Sequence, residues 1–288
     1  MRRIEEISRF IRKKMNEMDR SGIVLALSGG LDSSVVTGLC VKAVGKGKVT
    51  AMVMYEKEAS EEASKNAETI SDFFDIKLVK IDISKLLRDI GSYNFFVSKL
   101  PTKKLKSFLI NFYIKDLVRR EKSFSFYLKG SRNKTISAAA ANAMIKHRLR
   151  MILIYYYAEK NNLLVAGAAN KTEVLTGLFS KFGVDNCADI MPIAHLYRTE
   201  VIEIAKELRL PEEIIYKKST PGLLLGIGDK YEDITGLNYE EVDLILKNLG
   251  KSSEEISKDF GLDIKKVNFV MDMYKSSAHK RNPSMMVE

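Results

Sequence analysis

Residues 22–40, GIVLALSGGLDSSVVTGLC, constrain the fold more than any other stretch of this chain. Ile23 to Leu27 is a short apolar run with the length and composition of one buried strand. The run breaks at Ser28-Gly29-Gly30, and Val35, Val36 and Leu39 then follow at helical spacing. A strand that turns through glycines into a helix N-terminus aims several backbone N–H groups at one point, with the helix dipole behind them. Such a point attracts anions. Ser28, Ser33 and Ser34 add hydroxyl donors, and Asp32 adds a carboxylate able to hold Mg²⁺ against phosphate oxygens. The stretch has neither the Lys of G-x-x-x-x-G-K-[ST] nor the spacing of G-x-G-x-x-G. A glycine turn that merely closes a strand–helix unit is the competing reading. The coincidence of loop, carboxylate and both flanking elements favours a phosphate site.

Helix and strand patterns alternate along the chain. Ile4 to Met18 reads as an amphipathic helix with Ile4, Ile7, Ile11, Met15 and Met18 on one face. Val49–Tyr55 is expected to be a second strand, 59–74 a helix, Ile76–Ile81 a third strand, Asn142–Lys160 a long helix, and Leu163–Ala168 a fourth strand. Apolar strands alternating with helices predict an α/β fold, a doubly wound parallel sheet flanked by helices. Such sheets bind ligands beyond the carboxyl ends of their strands, which places Ser28–Ser33, Tyr55 and Ala168–Glu173 along one rim.

The 288 residues suit one large domain or a domain with an added lobe, and no apolar run approaches the roughly 20 residues of a membrane span. The N-terminal stretch carries no secretory pattern. Cys40 and Cys187 sit in no paired motif, so neither a disulfide framework nor a zinc site is expected, and the expected compartment is the cytoplasm.

The SGGLDS loop resembles the pyrophosphate loop of the ATP pyrophosphatase group, and the chain as a whole resembles the ammonia-dependent NAD synthetases within it. Gly167, Asn170, Lys171, Glu173, Gly177, Phe179, Lys181, Gly183, Asp189, Pro192 and Leu196 follow that family's order, as do Leu210, Pro211 and Glu212. Residues 145–151, IKHRLRM, align with its IKARxRM helix, and Ala278-His279-Lys280-Arg281 with its closing HKR. The resemblance implies an adenine nucleotide alpha hydrolase-like fold, with residues 1–288 as one domain. It also implies a two-step reaction: a carboxylate attacks the α-phosphorus of ATP, and ammonia then displaces AMP from the acyl-adenylate. The acid implied is deamido-NAD; an amide-forming relative that acts on another carboxylic acid stays open.

Carried over by position, the resemblance implies that Asp32 and Glu173 hold Mg²⁺ and that Asp32, Glu173 and Arg198 form the catalytic set. Ser28, Gly29, Gly30, Ser33 and Ser34 would grip the pyrophosphate. Arg198 stands where the family has a Lys on the terminal phosphate, and Thr220 near a hydroxyl with the same task. Tyr55, Arg148, Ala168, Lys171, Lys181, Asp185, Asp189, His279 and Lys280 complete the implied nucleotide-binding set. Glu173 also reads as an ordinary acid of a first helical turn, and Arg198 as a solvated helix cation. The three histidines show no metal-ligand spacing. Departures fall on the acid-binding side: Met144 stands for an Asn, Ala168 for a Thr, and Lys181–Asn186 (KFGVDN) for KYGDG. A glutamine-fed version would carry a glutaminase domain, for which 288 residues leave no room, so the expected nitrogen source is ammonia, free or from a separate protein. The resemblance further implies a homodimer.

Residues 91–136 stand outside the matched pattern. They hold eleven Lys or Arg against Asp116 and Glu121, and with them nine aromatic residues, in a chain whose net charge is +10. Leu105, Phe108, Leu109, Phe112 and Tyr113 recur at helical spacing, which predicts a folded helical insertion. A lobe with a solvated basic face, a lid over an anionic substrate and a nucleic-acid surface are its three readings. The last admits a tRNA-modifying relative, although the cysteine pair common in thiolating members is missing.

Overall fold

A computed structural model describes residues 2–57, 61–94, 134–217 and 231–282, and its backbone packs as two compact units. The first comprises Met1–Ile90, Lys146–Asn170 and Phe182–Lys217; the second takes in the described parts of Gly91–Ile145, Lys171–Lys181 and Lys218–Glu288. The expected insertion at 91–136 lies outside the described residues except for 91–94 and 134–136.

The first unit is built on four parallel strands, β1 (Gly22–Ala26), β2 (Val49–Tyr55), β3 (Lys77–Asp82) and β4 (Leu163–Ala166), in the spatial order β3-β2-β1-β4. Ile23 faces Val49 on one side and Leu164 on the other, and Ile23, Val24 and Leu25 are fully buried. A central parallel strand is covered on both faces, which is why β1 reads as an unbroken apolar run. β3, at the sheet edge, instead exposes Lys77 and Lys80, a charge pattern that blunts edge pairing. Helix α1 (Arg2–Glu17) packs Ile4, Ile7, Ile11 and Met15 against α2 (Leu31–Val44). Helix α2 also touches β1, β2 and α7 (Arg198–Glu207), so its apolar residues ring the helix rather than form a stripe.

Three expectations shift. Met18 leaves the α1 stripe: the helix ends at Glu17, Asp19 turns with φ 48°, and Met18 is 41% exposed. Strand β4 ends at Ala166, because Gly167 N donates to Ile190 O and the chain beyond follows that returning segment. The long helix, α5 (Lys134–Lys160), starts well before Asn142. Its first turns are alanine-rich, helical by propensity but without an apolar period to reveal them. Helices α3 (Glu61–Phe73), α4 (Ser84–Asp89) and α8 (Glu212–Ile215) complete the first unit.

In the second unit lie α6 (Lys171–Thr176), α9 (Glu232–Thr235), α10 (Tyr239–Lys247), α11 (Ser253–Phe260), α12 (Ile264–Ser276) and α13 (Ala278–Arg281). Helix α12 packs on α6, α10 and α11, burying Val267, Val270 and Met273 beside Val242, Ile245 and Ile256. Capping boxes start two of these helices: Asn238 with Glu241 on α10, and Ser252 with Glu255 on α11. No helix among the described residues is long and apolar enough to cross a membrane.

Candidate active site

The chain runs β1, β2, β3 outward in one direction and returns to place β4 on the other flank of β1. The loops after β1 and β4 therefore border the crevice where strand order reverses, the usual ligand site of such sheets. Leu27 N donates to Met52 O, extending the strand before the turn. Gly29 then takes φ 70°, and a Cβ there would stand 2.5 Å from Ala63 O and 2.7 Å from Asn66 Cβ. Glycine is required twice over, for its backbone angle and for the close approach of α3.

The serines of the loop bond largely to the loop itself. Ser28 N donates to Ser33 Oγ at 3.3 Å, and the two hydroxyls lie 3.1 Å apart. Ser33 Oγ and Ser34 Oγ donate to Gly30 O at 3.1 and 2.8 Å. Ser34 is fully buried, so its hydroxyl secures the turn, whereas Ser28 and Gly30 sit at the open end.

Asp32, in the first turn of α2, receives hydrogen bonds at both oxygens. Asn170 Nδ2 donates to Oδ1 at 2.8 Å from the loop after β4, and Arg198 Nη1 donates to Oδ2 at 2.5 Å from the first turn of α7. Asn170 and Arg198 are buried, while the Asp32 side chain keeps 17% of its exposure. Residues that the sequence assigned separately to metal and to phosphate thus converge on one carboxylate. Sequence reasoning did not assign Asn170 a role; its place in Asn-Lys-Thr-Glu was the available signal.

The family model described as NAD synthase matches residues 3–96 and 102–284. The chain belongs to the NAD synthase family. An NH(3)-dependent NAD(+) synthetase of Thermotoga neapolitana is 36% identical over 270 residues, covering 93% of this chain and 91% of its own. That of Methanocaldococcus jannaschii is 35% identical over 280 residues, covering 96% and 93%. Among solved structures, an NMN synthetase from Francisella tularensis superposes with a TM-score of 0.72 at 23% identity, covering 99% of this chain and 97% of that one, a likeness of fold. The NAD synthase match resumes at 102 and so runs through most of the basic segment.

The remaining expected residues of this NAD synthase chain divide by unit. In the first, Tyr55 ends β2 and is 39% exposed, Ala168 is half-buried beyond β4, and Arg148 is exposed on α5. Asp185 pairs with His147, Nδ1 to Oδ2, at 2.9 Å. Asp189 is taken up by the scaffold: Tyr155 Oη donates to Oδ1 at 3.1 Å and Val165 N to Oδ2 at 2.8 Å. Burial, with the Asp189 charge behind it, pushes the Tyr155 phenol up. Glu56 and Lys146 form a buried ion pair at 2.6 Å, just past β2, that no sequence pattern signalled.

In the second unit, Glu173 is half-buried in the first turn of α6, and Lys171 precedes it. Lys181 Nζ donates to His279 O at 2.8 Å, and His279 is exposed. Lys280 is buried, donating to Gly177 O and Phe179 O with its ammonium 4.7 Å from the Phe179 ring centre, and burial lowers it to about 8. Its side chain is directed into the unit's own backbone. Thr220 lies outside the described residues. Cys40 and Cys187 are free; burial raises the Cys40 thiol to about 12 and pushes Cys187 up as well, the opposite of a reactive thiolate.

Proposed function

We propose that this chain is an ammonia-dependent NAD synthetase, a ligase that converts deamido-NAD, ATP and ammonia into NAD, AMP and pyrophosphate. The arrangement that supports it is the Asp32 carboxylate, held by Asn170 and Arg198 beside a glycine loop at the N-terminus of a buried 14-residue helix. The family match supports treating residues of both units as one catalytic domain.

Catalysis begins as the backbone N–H groups of Gly29 and Gly30 and the α2 dipole draw the ATP phosphates to the loop. The substrate carboxylate then attacks the α-phosphorus, pyrophosphate leaves, and the acyl-adenylate remains. Charge grows on phosphate oxygens in this step, so fixed donors at the loop lower its barrier. Arg198, whose guanidinium donates to Asp32, would share its planar fork of donors with the departing phosphates. Ammonia adds to the acyl carbon, AMP leaves, and a proton is released.

The donor chemistry fits Mg²⁺. No group of three or more His, Cys, Asp or Glu among the described residues forms an all-protein cage, but Mg²⁺ arriving with phosphates needs only one or two carboxylates. Asp32 and Glu173 would hold it, and when bound it neutralises charge on the phosphate oxygens. In this reading the enzyme works in the cytoplasm as a homodimer and takes ammonia free or from a separate protein.

The deciding assay supplies purified protein with Mg²⁺, ATP, ammonium and nicotinic acid adenine dinucleotide. NAD, AMP and pyrophosphate should form in equal amounts. ATP–pyrophosphate exchange with a different acid, and no NAD, would keep the loop chemistry and replace the substrate.

A further inference from the structure

The segment Gly183–Asp189 is fastened to the first unit at more points than its own turn requires. Val184 N donates to His147 O at 3.2 Å, and Ala169 N donates to Asp185 O at 3.0 Å. His147 Nδ1 lies 2.9 Å from Asp185 Oδ2. Gly167 permits this approach, because a Cβ there would stand 3.2 Å from Asp185 O and 2.3 Å from Met191 Sδ. Asp185 is thereby fixed through main chain and side chain alike, yet its side chain remains 38% exposed.

His147 contrasts with it. Its side chain is only 12% exposed, and its Nε2 is buried with no hydrogen-bond partner. Burying a polar nitrogen in that way costs stability, and an apolar side chain would occupy the space without that cost. The pattern IKARxRM indeed carries only a methyl group at this position. Packing therefore does not account for the imidazole, whereas its side-chain contact with Asp185 does.

We infer that His147 is a positioning residue for the acid substrate, acting through Asp185, whose carboxylate it aims to accept hydrogen bonds from hydroxyl donors of a nucleotide-type acid. The inference rests on the amidation reading above and adds to it the residue that sets the acceptor. A carboxylate ordered during folding loses little further freedom when substrate binds, so His147 acts on substrate affinity more than on the chemical step.

The test is steady-state kinetics on the full chain with Mg²⁺, ATP, ammonium and nicotinic acid adenine dinucleotide, comparing His147→Ala, His147→Asn, Asp185→Asn and the Ala/Asn double variant. His147→Ala and Asp185→Asn should each raise the KM for the dinucleotide ~10-fold and leave the KM for ATP within ~2-fold. His147→Asn, whose amide nitrogen reaches the place of Nδ1, should restore most of the loss. The double variant should be no worse than either single one, since both remove one contact. An unchanged dinucleotide KM in His147→Ala, equal rises in both KM values, or additive losses in the double variant would each overturn the inference. A falling unfolding midpoint in His147→Ala with an unchanged dinucleotide KM leaves only a structural role and overturns it too. Should the parent protein form no NAD, the amidation reading fails and takes this inference with it, whereas an active parent beside an unaffected His147→Ala sinks this inference alone.

Discussion

The Asp32 carboxylate and the Arg198 guanidinium meet at 2.5 Å across 166 positions of sequence. Each stands in the first turn of a helix. The dipole of α2 favours the acid, but the dipole of α7 disfavours a cation at its start, so Arg198 is placed against the preference of its own helix. Asp32 supplies the compensating charge, and with only 4% of the Arg198 side chain exposed the pair is weakly screened.

Asp32→Asn should therefore fail in two ways. It removes the carboxylate charge facing a buried guanidinium, expected to cost about 3 kcal/mol in urea unfolding. It should also lower pyrophosphate release at least ~100-fold, the scale of losing a fixed charge that stabilises the transition state. Glu173→Gln should show the same catalytic loss, because it removes the second carboxylate charge proposed for the metal. Near-normal turnover in either variant would remove that residue from the metal set.

Gly29 and Gly45 give a paired test of the phosphate loop. Both have positive φ, 70° and 84°, but a Cβ at Gly45 meets nothing within 4 Å while one at Gly29 runs into Ala63 O. Gly45→Ala should cost only backbone strain, about 3 kcal/mol because φ 84° with ψ 151° is nearly confined to glycine, and leave ATP binding intact. Gly29→Ala should cost more than about 2 kcal/mol and weaken ATP binding, because the loop must move away from α3. Equal losses of ATP binding in the two variants would contradict the steric account.

Local chemistry was legible in the sequence, and its partners were not. The apolar run of β1, the glycine turn and the stripe Ile4, Ile7, Ile11, Met15 each report a nearest environment, and each is found where expected. Asp189 follows the family's order too, yet both of its oxygens hold Tyr155 and the β4 backbone, a use fixed by tertiary packing. The clamp on Asp32 depends on β4 lying beside β1, a strand order that no local period encodes. Lys280 reads as a cation for phosphate, but its long apolar stem lets the ammonium turn inward to two carbonyls.

That buried lysine predicts a pH dependence. Burial lowers Lys280 to about 8 from an ordinary 10.5, so between those values the unfolded chain binds more protons than the folded one. Stability from this group should rise with pH across that window, and the cost of the buried charge is present in full below about 8. The whole span corresponds to about 3 kcal/mol as an upper bound, since the two carbonyl acceptors oppose deprotonation. Urea unfolding of the parent and of Lys280→Met between pH 7 and 10.5 isolates the effect. The parent should gain on the variant as pH rises; a constant difference would mean that Lys280 keeps its proton throughout.

Helix α5 supplies the test of assembly. Ile154 and Ala158 are buried in the first unit, but Ile152 and Tyr156, one turn apart on another face, are 56% and 69% exposed. Single exposed apolar residues are ordinary; two large ones at i and i+4 form a stripe that a helix lays against a partner. Covering each contributes about 1.5–3 kcal/mol, enough for two protomers to commit a helix pair if the surrounding surface reaches about 800 Å² per partner. Light scattering after size exclusion should give a dimer for the parent. Ile152→Glu with Tyr156→Glu should give a folded monomer, because the charges face solvent in the isolated protomer and each other in the pair. A parent that elutes as a monomer, or a double variant that stays dimeric, would take α5 out of the interface.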